Sequence, residues 1–336
     1  MLEKFGVSQP PISLRGRDYI ETADFSADEI EFLLDRSKEL KRAFRQGIPH
    51  RSLQDKTLFL LFFDKSTRTR NAFEAAMTQL GGHAHYIDVS SSQIAHGESP
   101  KDTGIILSSY GHGIAIRHDL VPGEGNKYLR GVAQWAEAPV INLQCDVDHP
   151  TQTLADLMTL REIFGKDLRG LRITVSWAFA PSYLKPLSVP QGLITLLTRF
   201  GMDVVLAHPP GYDLMPGSLT SAEQFATTSG GSFRVVSDME GAFQGADVVY
   251  PKSWGIGSMF GTPERAMEIA RKYRSWICDE RAMSWAKRDA RYMHCLPADR
   301  GNEVADAVID GPNSIVYQEA ENRLHTAKAI LSTLLA

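Results

Sequence analysis

Cysteine is scarce in this chain. Cys145, Cys278 and Cys295 are an odd number without metal-ligand spacing, which argues against a disulfide framework and for a reducing, cytoplasmic setting. Long apolar runs are missing as well. No stretch approaches the length of a bilayer-spanning helix, and the first residues carry no signal-peptide pattern. A surplus of positive charge is also lacking: the net charge is −4 over 336 residues. No global basic field therefore exists for nucleic acid or a membrane surface, and an anion must be held locally. The turn after the apolar run Ile173–Trp177 lacks G-x-G-x-x-G, and the P-loop pattern G-x-x-x-x-G-K-[ST] is absent. His83, His85, His96 and His112 have no recognised ligand spacing. No dinucleotide, no cofactor and no metal are expected.

What is present is an ordinary soluble composition, 43% hydrophobic and 23% charged, in a chain too long for one core and suited to two domains. Residues 1–20, with Pro10-Pro11, read as an extended arm. Ser26-Ala27-Asp28-Glu29 is a capping box opening a helix that ends near Gly47. Apolar runs then alternate with helical patterns. Strands are expected at Thr57–Phe63, His83–Asp88, Gly113–Arg117 and Pro139–Asn142. In the second half they recur at Ile173–Trp177, Val204–Ala207, Phe233–Val236, Asp247–Tyr250 and Tyr292–Met293. The alternation implies α/β architecture with parallel sheets. A helix at Thr151–Phe164 bridges the halves, and an amphipathic helix, Gln318–Leu334, closes the chain.

Ser66-Thr67-Arg68-Thr69-Arg70 stands between the first strand and the helix Asn71–Leu80. Backbone N–H groups at such a helix start are unpaired and favour an anion. Hydroxyls and two guanidinium forks add phosphate-matched donors. The alternative is an N-cap cluster with solvated arginines. Ligands of open α/β sheets bind outside the carboxyl ends of strands, and Arg117 stands at such an end. His149-Pro150-Thr151-Gln152 follows another, where Pro150 suits a first helical turn. A His there can donate to a developing oxyanion, and a Gln can hold an amide. A rim ion pair for Arg117 and a capping role for His149 are the competing readings.

In the second half, Lys252-Ser253-Trp254 offers a seat for a carboxylate, or simply an exposed lysine beside a core tryptophan. Cys295, in His294-Cys295-Leu296-Pro297, reads as a pocket wall rather than a nucleophile, because no relay residue adjoins it. Glu319-Ala320-Glu321-Asn322-Arg323 places an arginine on the last helix, with a solvated charge face as the bland alternative.

Four of these motifs, Ser66–Arg70, His149–Gln152, His294–Pro297 and Glu319–Arg323, occur in an order and at separations that closely resemble the aspartate/ornithine carbamoyltransferases. The resemblance covers nearly the whole chain. It implies two doubly wound parallel-sheet domains: a carbamoyl-phosphate-binding domain of residues 1–150 plus 318–336, and an acceptor-binding domain of residues 151–317. It also implies a homotrimer with active sites between subunits. Carried over by match, Ser66, Thr67, Arg68 and Thr69 would hold the phosphate. Arg117, His149, Gln152 and Arg323 would contact the carbamoyl end, and the Leu296 carbonyl would accept from its amide. Asn142, Lys252, Trp254 and Cys295 would line the acceptor site. Ser90–Glu98 resembles the loop that reaches a neighbouring subunit, which makes Gln93 and His96 candidates for contacts in trans. On this reading Arg117, His149 and Thr69 would stabilise the charge that builds on the carbamoyl oxygen as an amine attacks.

Ornithine enzymes carry an Asp where this chain has Lys252. A cation there disfavours a free ammonium and suits a carboxylate or an acylated amine. The segment Trp177–Gly192, with Pro181, Pro186 and Pro190, resembles the knotted branch of N-acetylornithine and N-succinylornithine carbamoyltransferases, most of all its YgeW-type members. That resemblance alone implies a trefoil knot in the second domain, since knots are rare. Glu303 stands where the acetylornithine enzyme has a lysine, which speaks against acetylornithine itself. The expected activity is transfer of a carbamoyl group from carbamoyl phosphate to an amino-acid-like amine. Ornithine carbamoyltransferase, making citrulline, and a phosphometabolite-binding regulator of the same fold are the alternatives.

Overall fold

The computed structural model describes residues 14–119, 121–182, 185–259 and 261–336. The arm with Pro10-Pro11 falls mostly outside them, as do Tyr183 and Leu184 of the proline-bearing segment. Two compact units are present, Met1–Ala155 with Glu321–Ala336 and Asp156–Ala320.

The first unit begins with α1 (Ala27–Arg45), whose capping box is formed as expected, with Ser26 accepting from the Glu29 amide. There follow β1 (Thr57–Phe62), α2 (Arg68–Gln79), β2 (His83–Asp88), α3 (Pro100–Tyr110), β3 (Gly113–His118), α4 (Gly125–Ala133), β4 (Val140–Cys145) and the start of α5 (Pro150–Phe164). The four strands are parallel in the order β2-β1-β3-β4. Strand order therefore reverses between β1 and β3, the kind of point outside whose carboxyl ends open α/β sheets bind ligands. The sheet packs its Ile, Leu and Val side chains into a core with Ile20, Leu129 and Val132, the near-continuous burial typical of parallel strands.

Most boundaries shift from the sequence reading by a residue or two, and two in the first unit shift by three. The helix expected from Asn71 begins at Arg68, so Arg68, Thr69 and Arg70 form its first turn. The strand expected to stop at Asn142 runs on to Cys145, buried throughout. The polar residues Asn142 and Gln144 hid that continuation.

The second unit carries β5 (Arg172–Trp177), α6 (Ser188–Thr198), β6 (Asp203–Ala207), α7 (Pro216–Ser229), β7 (Ser232–Val236), α8 (Met239–Phe243), β8 (Val248–Lys252), α9 (Pro263–Ala270), α10 (Glu280–Trp285), β9 (Arg291–Tyr292) and α11 (Asp306–Ile309). Its five parallel strands lie in the order β7-β6-β5-β8-β9, which puts the reversal between β5 and β8. The last helix, α12 (Val316–Leu334), begins in this unit and continues in the first.

Candidate active site

At the reversal point of the first sheet, β1 lies beside β3, with Phe62 in register with Arg117. The turn after β1 leads into α2. Thr67, at its N-cap, makes no side-chain cap, so the first-turn amides are not spent on one. Thr69 is buried at 1% exposure, and its hydroxyl takes a short hydrogen bond from Nη2 of Arg323 on α12. Ser66 and Arg68 are half-buried and Thr67 is exposed. Arg70 leaves this group. Its Nε donates to Glu74 Oε1 at 3.0 Å and its guanidinium lies 3.5 Å over the Tyr86 ring. The turn offers one guanidinium fork, that of Arg68, and not two.

Arg117 closes the neighbouring strand end and grips the buried Asp119 through two hydrogen bonds. Burial raises the Asp119 carboxyl above its ordinary range, and Arg117 opposes that rise. Beyond β4, the chain turns through Cys145–Asp148 into His149 and α5. Asp148 anchors this turn: its Oδ2 accepts from the Thr22 amide and hydroxyl, both at 2.7 Å. Burial pushes the Asp148 carboxyl up to about 6. His149 and Gln152 are buried. The His149 ring Nδ1 lies 3.2 Å from Thr151 Oγ1, and the His149 carbonyl accepts from the Gln152 amide at 2.9 Å. The adjacent ends of β1, β3 and β4 thus bring Ser66–Thr69, Arg117 and His149–Gln152 to one edge of the sheet.

Asn142 stands inside the strand that leads to this turn. It is fully buried within β4, and its amide nitrogen donates to the Ile20 carbonyl at 2.7 Å and the Asp148 carbonyl at 3.2 Å. These bonds brace the Cys145–His149 turn through the amide nitrogen, while Oδ1 accepts no hydrogen bond among the described residues. Cys145 Sγ shares in that turn, and burial pushes its thiol up to about 12.

In the second unit, Lys252 ends β8 and is buried. Its Nζ donates to the Ser253 carbonyl at 2.8 Å. Trp254 lies two residues further on. Its side chain is 1% exposed, its Nε1 donates to the Tyr212 carbonyl, and its own carbonyl accepts from Trp177 Nε1 at 2.9 Å. The indole belongs to the core, as the competing reading had it. Leu296 has φ of +54°, a left-handed conformation that is strained for a branched side chain. Its amide donates to His294 Nδ1 at 2.9 Å. Cys295 is half-buried and burial pushes its thiol up to about 11, so it is no thiolate nucleophile near neutral pH.

Sequence reasoning noted Glu303 only for the lysine it replaces and missed its bonds. Its carboxylate, 1% exposed, accepts from the Ser253 amide at 2.6 Å and the Asp299 amide at 2.7 Å. It thereby ties the Lys252–Trp254 turn to the segment after Leu296. Burial disfavours its charge, but His294, Lys252 and Lys185 hold the carboxyl down at about 2. No local pattern announces such a bond, since its partners lie far away in sequence or are backbone groups. The Glu319–Arg323 segment is likewise no solvated face: Glu319, Asn322 and Arg323 are buried, and Glu321 alone among its charged residues is exposed. Gln93 and His96 are exposed on a short 3₁₀ turn, Gln93–His96.

Comparison with known proteins shows the family. Residues 17–162 match the aspartate/ornithine carbamoyltransferase carbamoyl-P binding domain, and residues 187–334 match the Asp/Orn binding domain of the same enzymes. YgeW of Escherichia coli (strain K12), assigned as a carbamoyltransferase, is 38% identical over 95% of this chain and 89% of its own length. The ornithine carbamoyltransferase of Pyrococcus abyssi is 40% identical over 96% of this chain and 97% of its own. The structure of ornithine carbamoyltransferase from Pyrococcus furiosus superposes with a TM-score of 0.87 at 38% identity, covering 97% of this chain and 99% of that one. Acetylornithine transcarbamylase complexed with acetylcitrulline gives 0.87 at 35% identity, covering 95% and 99%. Similarity of this extent in sequence and structure makes the chain a member of the aspartate/ornithine carbamoyltransferase family and a carbamoyltransferase.

Proposed function

We propose that the chain transfers the carbamoyl group of carbamoyl phosphate to the amine of an amino acid or acylated amino acid and releases phosphate. The observation that carries this reading is the gathering of donors at the reversal point of the first sheet, where Thr69 and Arg323 are hydrogen-bonded beside the strand end of Arg117. Ser66, Thr67, Arg68 and the α2 N-terminus take the phosphate. Arg117, His149 and Thr69 stabilise the oxygen that gains charge as the amine attacks. Gln152 and the strained Leu296 carbonyl hold the carbamoyl amide, and Arg323 keeps Thr69 oriented. No general base of high strength is needed when the amine arrives neutral, and ordering two small substrates supplies much of the acceleration.

Lys252 favours an acceptor bearing a carboxylate or an acylated amine over one with a free ammonium, and Cys295 lines the same site. Glu303 stays with its backbone partners and binds no acceptor. The unit division proposed for function is residues 1–150 plus 318–336 for the donor and residues 151–317 for the acceptor. The enzyme is cytoplasmic and works as a homotrimer whose Ser90–Glu98 loop, with Gln93 and His96 exposed, completes a neighbour's site. The proline-bearing segment Trp177–Gly192 supports the knotted branch, where a trefoil knot shapes the acceptor side. Among the described residues no helix is long and apolar enough to cross a membrane.

An amine-acceptor screen with mass detection of products tests this. Phosphate is expected only when carbamoyl phosphate and an amine are both present, with carboxylate-bearing or acylated amines preferred. Best turnover with ornithine, giving citrulline, would reverse the acceptor assignment. Binding of carbamoyl phosphate without turnover across the panel would favour a regulator.

A further inference from the structure

Glu319, in the first turn of α12, has no part in the reading above, yet its side chain is 1% exposed. Tyr250 Oη donates to its Oε1 at 3.0 Å, and the His294 amide donates to its Oε2 at 3.0 Å. A third hydrogen bond joins it to Asp156 on α5, which is fully buried. Two carboxyl groups bonded to each other away from water cannot both be ionised. No donor would lie between them, and like charges repel strongly where the dielectric is low. One proton must bridge them. Burial first, and Asp156 second, hold the Glu319 carboxyl well above its usual range.

What the pair holds is the turn beside it. Glu319 fixes the His294 amide, and the His294 ring accepts from the Leu296 amide at 2.9 Å. Leu296 in turn keeps its left-handed φ of +54°, a conformation that persists only where the surroundings enforce it. The titratable groups that feel the pair are Tyr250, Tyr292 and Cys295, with Lys252 and Glu303 acting on the same thiol. Burial pushes both tyrosines and the thiol upward, so none of them ionises near neutral pH in place of the pair.

We propose that Glu319, sharing one proton with Asp156, is a positioning residue for carbamoyl transfer: it locks the His294-Cys295-Leu296 turn and so aims the Leu296 carbonyl. The inference rests on the reading of that carbonyl as the acceptor for the carbamoyl amide. Asp156→Asn keeps a donor between the two side chains without the extra proton, whereas Glu319→Ala removes every bond.

Four measurements on the whole chain decide it. The parent is expected to show an infrared carbonyl band of a protonated carboxylic acid at neutral pH, and Asp156→Asn to lack it. Cys295, labelled with a disulfide reagent, is expected to react at least about tenfold faster in Glu319→Ala and at the parent rate in Asp156→Asn, since a loosened turn exposes the sulfur. With carbamoyl phosphate and the amine that turns over, kcat is expected to fall about 100-fold in Glu319→Ala and less than about threefold in Asp156→Asn, the scale of a 1 Å misplacement. Affinity for inorganic phosphate should stay at the parent value in both. Absence of the infrared band, or parent-like thiol reactivity in a folded Glu319→Ala, overturns the proposal. A parent that turns over no amine refutes the proposed function instead, and the band and the thiol rates still decide whether the pair holds the turn. Should Glu319→Ala not fold, Glu319→Gln takes its place and is expected to match Asp156→Asn; a loss of kcat there overturns the proposal too.

Discussion

The guanidinium of Arg117 lies against the carboxylate of Asp119, donating from Nε at 3.1 Å and from Nη2 at 2.9 Å. The arginine side chain is 14% exposed and the aspartate side chain 1%. A fork held this way is pre-aimed, because both its rotamer and its plane are fixed before a substrate arrives. Arg117→Ala should therefore cost two things at once. It leaves a buried charge without its partner, which costs about 2–3 kcal/mol for a pair with one partly wet member, and it removes the carbamoyl-oxygen donor. Thermal unfolding is expected to show the loss near neutral pH. The loss should shrink on acidification, because burial raises the Asp119 carboxyl and protonation removes the stranded charge. A variant as stable as the parent would argue that Asp119 finds other partners.

Arg68→Ala should separate binding from stability. Arg68 is half-buried in the first turn of α2, and the capping box at Ser26 and the sheet core secure the unit. Affinity for carbamoyl phosphate is expected to fall at least about 100-fold, the scale of a charge-assisted bidentate contact, with the melting temperature unchanged. Calorimetric titration giving the parent affinity would remove Arg68 from the phosphate site.

The contrast between these two arginines marks what the sequence could and could not reveal. Strand and helix positions followed from apolar runs and their punctuation: Pro100 opens α3 and Gly165 ends α5 where expected. The site motifs were visible because their residue types are unusual at strand ends. Partner choice was not visible. Arg68 and Arg70 look alike in sequence, but Arg70 pairs with Glu74 one turn away and covers Tyr86 on the neighbouring strand. Lys252 and Trp254 likewise sit two residues apart and are both buried, and only the tertiary partners Tyr212 and Trp177 show how the indole is held. Asn142 is marked as a ligand by family resemblance alone, which says nothing of its partners inside the chain. The three further residues of β4 and the amide's bond to the Ile20 carbonyl come only from the structure.

Lys252 tests the acceptor. Its ammonium is buried at the end of β8 and bonded to the Ser253 carbonyl, a contact that a substrate carboxylate can join without displacing. Lys252→Met preserves the stem and removes the charge. The KM for a carboxylate-bearing acceptor should rise about 10- to 100-fold, the value of a hydrogen bond to a charged group, while the KM for carbamoyl phosphate is unchanged. Equal acceptor KM in variant and parent would place the acceptor's anionic group elsewhere.

A site shared between subunits has a signature that no single variant gives. Arg68→Ala and His96→Ala should each be inactive alone, one lacking the phosphate fork and the other the loop contact. Mixed in equal amounts and allowed to exchange subunits, a closed trimer would form about a quarter of its sites from an intact fork and an intact neighbouring loop. Activity recovered near that fraction supports contacts in trans from the Gln93–His96 turn. No recovery, with exchange verified by mass, would mean that each subunit completes its own site.

Glu303 offers a stability test with a definite sign. Its carboxyl is held at about 2 when folded, against an ordinary 4.5. A depressed acid stabilises the fold in full above its unfolded value, and the contribution drains away as pH falls toward the folded one. A displacement of this size corresponds to something on the order of 3 kcal/mol at neutral pH. Glu303→Ala also leaves the amides of Ser253 and Asp299 without the acceptors they now have at 2.6 Å and 2.7 Å. Chemical denaturation at neutral pH should show that loss, and the gap between parent and variant should narrow between pH 4.5 and about 2. Glu303→Gln separates the two contributions. It keeps one amide acceptor and drops the charge, so it should recover part of the stability and be insensitive to pH across the same interval. A parent whose stability is flat through that interval would mean that Glu303 is braced by its hydrogen bonds alone, with no net gain from His294 and the two lysines.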